Sequence, residues 1–191
     1  LEVGMDKKGE INYLSNIVQP DVSVITNISY AHAKNFRNIK QIALAKSEMI
    51  NNTKDNGFIV LNADDNFFSF HKKLAIKKNL NILSFGIKNK NSNIKLLDIK
   101  KEANKYKATI KVNNFKTYFL IKNDFQNNIL NILATLAVMS IYIDISRIDK
   151  NIFNNFKVPN GRGDISKIKI NKKSLNLIDE SYNSNPLSLK S

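Results

Sequence analysis

Cysteine is absent from these 191 residues, and glycine occurs only six times. Without cysteine there is no disulfide framework, no thiolate zinc site and no thiol nucleophile. None of the six glycines is followed by lysine. The sequence therefore holds no G-x-x-x-x-G-K-[ST] loop, the glycine-rich turn that cradles nucleotide phosphates. No apolar run approaches the ~18 residues of a membrane-spanning helix, and no basic-then-apolar leader opens the sequence. A cytoplasmic protein without a membrane span is the expectation. Acidic residues are also in short supply. Asp and Glu number 16 against 30 Lys and Arg, a net charge of +14. Such an excess draws anionic partners: nucleic acid, a membrane surface or phosphorylated small molecules. A second reading stands beside it. Only Arg37, Arg147 and Arg162 are arginines, and Asn and Ile are over-used together with Lys, the pattern that A/T-biased coding writes at undemanding positions.

Hydrophobic residues make up 42% of the chain, enough to bury a core and to exclude wholesale disorder. Short β-rich runs at 1–4, 22–26, 58–62 and 81–85 alternate with helical spacing at 38–50 and 65–77. That alternation predicts βαβ units and an α/β fold with a mostly parallel sheet and flanking helices. The run 22–26 has the all-apolar look of a buried central strand. Segments 106–112 and 117–122 flank Asn113-Asn114 and predict a hairpin, because Asn tolerates the positive φ of a tight turn. A buried helix is expected over 128–143 and a shorter one over 146–156. The stretch 88–93 reads as a solvated loop. Val158-Pro159-Asn160-Gly161-Arg162-Gly163 is the best boundary, dividing the chain into 1–158 and 159–191. Strands at 165–170 and 174–178 would open the second part. Both ends have the look of a cut, so the chain is expected to be part of a longer protein.

A few residues stand out chemically. On a helical wheel, Lys46 falls within the apolar arc of Ile39, Ile42, Ala43, Met49 and Ile50. A buried ammonium costs several kcal/mol unless paired, so Lys46 either snorkels from the helix or has a role in a site. His32 follows a predicted strand at its carboxyl end, where α/β sheets collect ligands. It is equally readable as a structural histidine. Glu2 lies in the first predicted strand and is otherwise an edge-strand surface acid. Asn127, Asn128 and Asn131 gather near the start of the predicted helix at 128–143. There they suit either nucleobase contacts or simple N-capping. Arg162, between two glycines, suits a phosphate or carboxylate clamp.

The order of these motifs resembles the ATP-dependent Mur ligase family. Leu1-Glu2-Val3-Gly4, Gly9-Glu10-Ile11, Gln19-Pro20-Asp21, Ile25-Thr26-Asn27-Ile28 and Ala31-His32 are similar to its central domain. Ala45-Lys46-Ser47-Glu48 matches its A-K-x-E segment, and Asn62-Ala63-Asp64-Asp65 its N-A-D-D turn. Asp179 to Pro186 (D-E-S-Y-N-S-N-P) resembles the signature of the branch that joins D-alanyl-D-alanine to UDP-N-acetylmuramoyl-tripeptide. The resemblance implies a P-loop-NTPase-like central domain whose P-loop is missing here, followed by the start of a Rossmann-like C-terminal domain. It implies ATP and Mg²⁺ as cofactors, and an acyl phosphate on the way to an amide bond. Glu2 and His32 are then metal ligands, and Lys46 is one too if carbamylated; Lys46 and His32 are the expected catalytic residues. Asn128 and Asn131 are then adenine contacts, while Arg162 and Glu180 touch the nucleotide's phosphate or ribose. The sequence departs from the pattern at Asn127, at Ser29-Tyr30, at Glu180 in place of Asp, and in the glycine missing from Asp124-Phe125-Gln126. The expected partners are the UDP-sugar tripeptide and the dipeptide, not nucleic acid, and the expected state is a monomer. The 191 residues alone are expected to be inactive. Another Mur ligase, a folylpolyglutamate-synthase-like ligase and a basic nucleic-acid-binding module remain open alternatives.

Overall fold

The computed structural model describes residues 1–30, 35–154, 161, 164–170, 173–179 and 181. Four helices and eight strands occur in the order α1 (Glu10–Val18), β1 (Val22–Ile25), α2 (Ile39–Asn52), β2 (Phe58–Asn62), α3 (Phe68–Lys77), β3 (Asn81–Gly86), β4 (Ile94–Glu102), β5 (Lys105–Val112), β6 (Phe115–Ile121), α4 (Gln126–Tyr142), β7 (Asp164–Ile170) and β8 (Lys173–Asp179). β1 to β6 form one sheet in chain order; β7 and β8 form a separate antiparallel pair. Strands β1 to β4 run parallel and β4 to β6 antiparallel. The expected α/β sheet with flanking helices is therefore present. The expected boundary at 158/159 lies outside the described residues.

Alternation along each strand feeds two cores. Ile25, Ile59 and Leu61 face α1 to α3, where Ile11, Ile42, Ala43, Ile50 and Ala75 are buried. Val60, Phe85, Ala108, Ile110 and Phe119 face the other way, onto Leu133, Leu136 and Ala137 of α4. Phe58–Asn62 is buried on both faces, which is why it reads as an uninterrupted apolar run. α4 buries Ile129, Ile132, Leu133, Ala134, Leu136 and Ala137, as its near-continuous apolar sequence demands. The β5–β6 hairpin closes through Asn113-Asn114, with Asn113 at φ 51°.

Five elements differ from expectation. Residues 1–4 form no strand. Within this chain β1 lies at one end of the sheet and not between two strands, with Val24 exposed. Helix α1 carries a split apolar pattern and has no side-chain N-cap on its own cap residue. Its cap comes from a distance: the Glu48 carboxylate on α2 accepts the Gly9 and Asn12 N–H groups at 3.0 Å. β4 hides behind its charges, since Lys-rich residues alternate with half-buried ones and a bulge breaks the register between Leu96 and Asp98. Of the helix expected over 146–156, the described residues up to 154 hold only a 3₁₀ turn at Ile145–Arg147 and further turns, and 155–156 lie outside the described residues. There Asp144 and Asp149 accept the N–H groups of Ser146 and Asn151, local bonds that compete with helix propagation.

Gly57 ends the α2–β2 connection in a space with no room for a side chain. A Cβ there would stand 2.8 Å from the carbonyl oxygens of Asp21 and Lys54 and 3.1 Å from Thr53 Cγ2. Gly57→Ala is expected to cost about 1–3 kcal/mol, seen as a lower urea midpoint at unchanged slope. An unshifted midpoint would show that the two backbone segments yield freely.

Candidate functional site

The carboxyl ends of β1 and β2 and the second half of α2 converge on one place. α2 starts at Asn38, whose side chain accepts the Gln41 N–H at 3.1 Å. Its buried stripe of Ile42, Ala43, Ala45, Ser47 and Ile50 packs it down, and this fixes where Lys46 emerges. Lys46 is half-buried, and its Nζ donates to the Asn27 carbonyl oxygen at 2.8 Å. Burial holds its ammonium below the ordinary lysine value, and the nearby Asp65 carboxylate acts in the opposite direction. The sequence anomaly at Lys46 thus becomes a lysine whose charge is disfavoured and which reaches the loop after β1.

That loop is held from below. Asn62 Nδ2 donates to the Thr26 carbonyl at 2.9 Å, and Asp65 Oδ2 accepts the Ile28 N–H at 2.7 Å. Both residues belong to the Asn62-Ala63-Asp64-Asp65 turn. Asp64 serves the other side, accepting the N–H groups of Ile87, Lys88 and Asn89 after β3. His71 on α3 is buried, with Nε2 bonded to the Ala43 carbonyl at 3.1 Å, one turn before Lys46. No sequence signal singled out Asn62, Asp65, His71 or Glu48. The motifs that contain three of them were recognisable, yet spacing alone does not reveal contacts across elements.

Two cavities adjoin these residues. An open groove of about 650 Å³ runs along the free edge of β1, lined among others by Glu2, Val24, Thr26, Lys46 and Asn131. A second cavity of about 200 Å³ lies between β6 and α4, lined by Lys122, Asn123, Asn128, Asn131, Thr135 and Phe153. Asn128, Asn131 and Thr135 share one helix face. Asn131 lines both cavities. None of Asn127, Asn128 and Asn131 caps α4, which has no side-chain N-cap; just before it, Asn123 Oδ1 accepts the Phe125 N–H at 3.3 Å and Asn128 Nδ2 at 3.2 Å. Phe153 packs edge-on against Phe119 at 5.3 Å, giving the small cavity an aromatic wall. Amides beside an aromatic wall suit a flat heterocycle.

The structure therefore brings together Glu2, Lys46 and Asn131 in one groove, and Asn128 with Asn131 in the next. His32, Arg162 and Glu180 lie outside the described residues. Among the described residues, no group of three or more His, Asp and Glu side chains could hold a metal ion. The groove does offer hard oxygen donors, the Glu2 carboxylate and the Thr26 hydroxyl, of the kind Mg²⁺ takes. No helix among the described residues is long and apolar enough to cross a membrane.

Residues 1–139 match the Mur ligase middle domain. The UDP-N-acetylmuramoyl-tripeptide–D-alanyl-D-alanine ligase of Rickettsia prowazekii is 33% identical over 99% of this chain and 41% of its own length. The crystal structure of MurF from Acinetobacter baumannii superposes with a TM-score of 0.84 at 25% identity, covering 100% of this chain and 40% of that one. MurF ligase from Thermotoga maritima in complex with ADP gives 0.83 at 25% identity over 100% and 42%. The chain thus spans about two fifths of the length of these relatives.

His71 supplies a pH test of this packing. Desolvation dominates and pushes its imidazole below the ordinary value of 6.5, against the Ala43 hydrogen bond and the Asp65 charge, with Lys46 adding to the depression. The fold therefore favours neutral His71. Its contribution is complete above about pH 6.5 and is lost as pH falls through the lower folded value. Urea midpoints should drop between pH 6.5 and 5, and His71→Gln should flatten that drop. An identical pH slope in the variant would remove His71 from the account.

Proposed function

This chain belongs to the Mur ligase family, as part of its middle domain, and from that premise we propose that it carries the ATP-using centre of an amide-bond ligase. The proposed reaction joins D-alanyl-D-alanine to UDP-N-acetylmuramoyl-tripeptide, in the cytoplasm, in a monomeric enzyme. The reading is supported by one observation above the rest: Asn131 lines both the amide-lined cavity and the groove that holds Lys46 and Glu2. A nucleotide laid across the two puts its base against α4 and its phosphates toward the end of β1. The names of the relatives supply the substrates.

In the proposed chemistry, a carboxylate oxygen of the tripeptide attacks the γ-phosphorus of ATP, the bond to ADP breaks, and an acyl phosphate forms. The dipeptide amine then adds to the acyl carbon, loses its proton, and the tetrahedral species collapses with departure of phosphate. Catalysis of both steps is mainly positioning and charge neutralisation. Asn128 and Asn131 orient the base through amide donors and acceptors. Phe153 and Ile132 give it apolar contact. Lys46 acts on the phosphoryl oxygens through its positive charge or, if its amine has taken up CO₂ as a carbamate, would serve as an oxygen ligand to Mg²⁺. Mg²⁺ would be held by Glu2 and His32, with Lys46 if carbamylated, and supplies neutralisation of phosphate charge. Arg162 and Glu180 are proposed to close on the nucleotide from the second part of the chain, residues 159–191. The 191 residues by themselves are proposed to be inactive.

The test uses the whole ligase that contains these residues, with amide product and released phosphate as readouts. Lys46→Ala is expected to lower kcat by about 10²-fold or more. Asn131→Ala is expected to raise the KM for ATP about tenfold with a smaller change in kcat. Unchanged turnover in the first variant would take Lys46 out of the site. Turnover of the wild type with no dipeptide dependence would overturn the proposed substrate.

A further inference from the structure

We propose that Asn62 and Asp65 are positioning residues of this centre, acting through the backbone of Thr26 and Ile28 to place the Asn27 carbonyl where Lys46 meets it. The proposal rests on the reading of Lys46 as a site residue. Each of the two side chains is bifunctional. Asn62 Oδ1 accepts the Asp64 N–H at 2.9 Å within its own turn, and its Nδ2 donates across to the Thr26 carbonyl at 2.9 Å. Asp65 Oδ1 accepts the Phe67 N–H at 2.8 Å within the turn, and its Oδ2 reaches across to the Ile28 N–H at 2.7 Å. One end makes the turn rigid; the other ties the loop to it. Two successive peptide groups, Thr26–Asn27 and Asn27–Ile28, are thus fixed by three side chains: Asn62 at the end of β2, Asp65 just beyond it and Lys46 on α2.

Burial raises the stakes. Asn62 is 6% exposed and Ile28 9%, so an unpaired group at either end finds little water to replace its partner. The geometry is also polar in sense. Asp65→Asn keeps an oxygen for Phe67 but turns an amide N–H₂ toward the Ile28 N–H, donor against donor. Asn62→Asp turns a carboxylate toward the Thr26 carbonyl, acceptor against acceptor. Asp64 provides the internal comparison. It is the neighbouring carboxylate in the same turn, yet it binds the N–H groups of Ile87, Lys88 and Asn89 and leaves the β1 loop alone.

Two measurements test the proposal together. The first is hydrogen exchange of the Ile28 amide in this chain, followed by NMR. The second is steady-state kinetics of the whole ligase. Asp65→Asn is expected to speed Ile28 exchange about tenfold or more, the loss of one hydrogen bond to a charged group. In the ligase the same variant should lower kcat about tenfold or more while the KM for ATP stays within about twofold, because the base cavity lies elsewhere. Asn62→Asp should act in the same direction on both readouts. Asp64→Asn should lower the urea midpoint but leave Ile28 exchange and kcat within about twofold. Unchanged Ile28 exchange in Asp65→Asn overturns the positioning role, as does faster exchange with unchanged kcat. Equal effects of Asp64→Asn and Asp65→Asn on kcat overturn it too, since general loss of stability would then suffice. Ile28 exchange is independent of ligation, so a wild-type protein that does not ligate counts against the proposed function and leaves the exchange comparison to decide the clamp.

Discussion

A parallel strand that ends must hand its last peptide groups to new partners, because the ladder no longer serves them. β1 ends at Ile25, and the next peptide groups depend on side chains: Asn62 for Thr26, Lys46 for Asn27, Asp65 for Ile28. Most of the local architecture follows from meeting that demand. β2 must lie in register beside β1, with Ile25 opposite Leu61, for Asn62 to reach. α2 must pack its Ile42–Ala43–Ile50 stripe on the sheet for Lys46 to come down at the right height. The Glu48 carboxylate then ties α1 to α2, and Asn52 bonds Asn12 and Ser15 along the same seam. The strand end is therefore a knot of polar bonds on a hydrophobic base. The bonds of Asn62 and Asp65 are the costlier ones to break, being partly buried, whereas the Lys46 and Glu48 bonds lie nearer to water.

Much of this was legible in the residues, and the reasons differ by element. β2 and α4 announce themselves because both are buried nearly all round, which leaves unbroken apolar sequence. The hairpin at Asn113-Asn114 is legible because few residues accept φ 51° so readily. Lys46 stands out because a cation interrupts an apolar arc. What stays hidden depends on contacts between distant segments. α1 has its N-terminal N–H groups capped by Glu48 from α2, 36 to 39 residues along the chain. β4 is held by pairing on both edges while its own residues are half solvated. Glu2 was expected on a strand and is found on an irregular segment lining the same groove as Lys46. The asparagines at the start of α4 line a cavity and do not cap the helix, which has no side-chain N-cap.

The basic composition also finds its place. On the outer face of the antiparallel strands, Lys95 stands opposite Lys111, and Lys111 opposite Lys116. Like charges directly across a ladder weaken it by a fraction of a kcal/mol to about 1 kcal/mol each. Lys107 is partly offset by the Tyr118 ring 4.5 Å below its Nζ. These lysines cost the sheet a little and lie on the face turned away from α4. The lysines lining the two cavities are Lys46 and Lys122, so the charge that draws attention in the composition is largely not the charge that matters at the site.

The strands of the large sheet sit side by side in the order in which they occur in the chain. Each strand therefore finds its neighbour already made, and no strand has to be threaded between two others. A sheet of this kind can be built in chain order, each new strand joining the edge left by the one before. The helical cover is not distributed so evenly. α1, α2 and α3 arrive between the early strands and seal one side at once, whereas Val60, Phe85, Ile110 and Phe119 wait on the other side for α4. Within these residues, the apolar contacts of that second side are completed only once α4, residues 126–142, has been made.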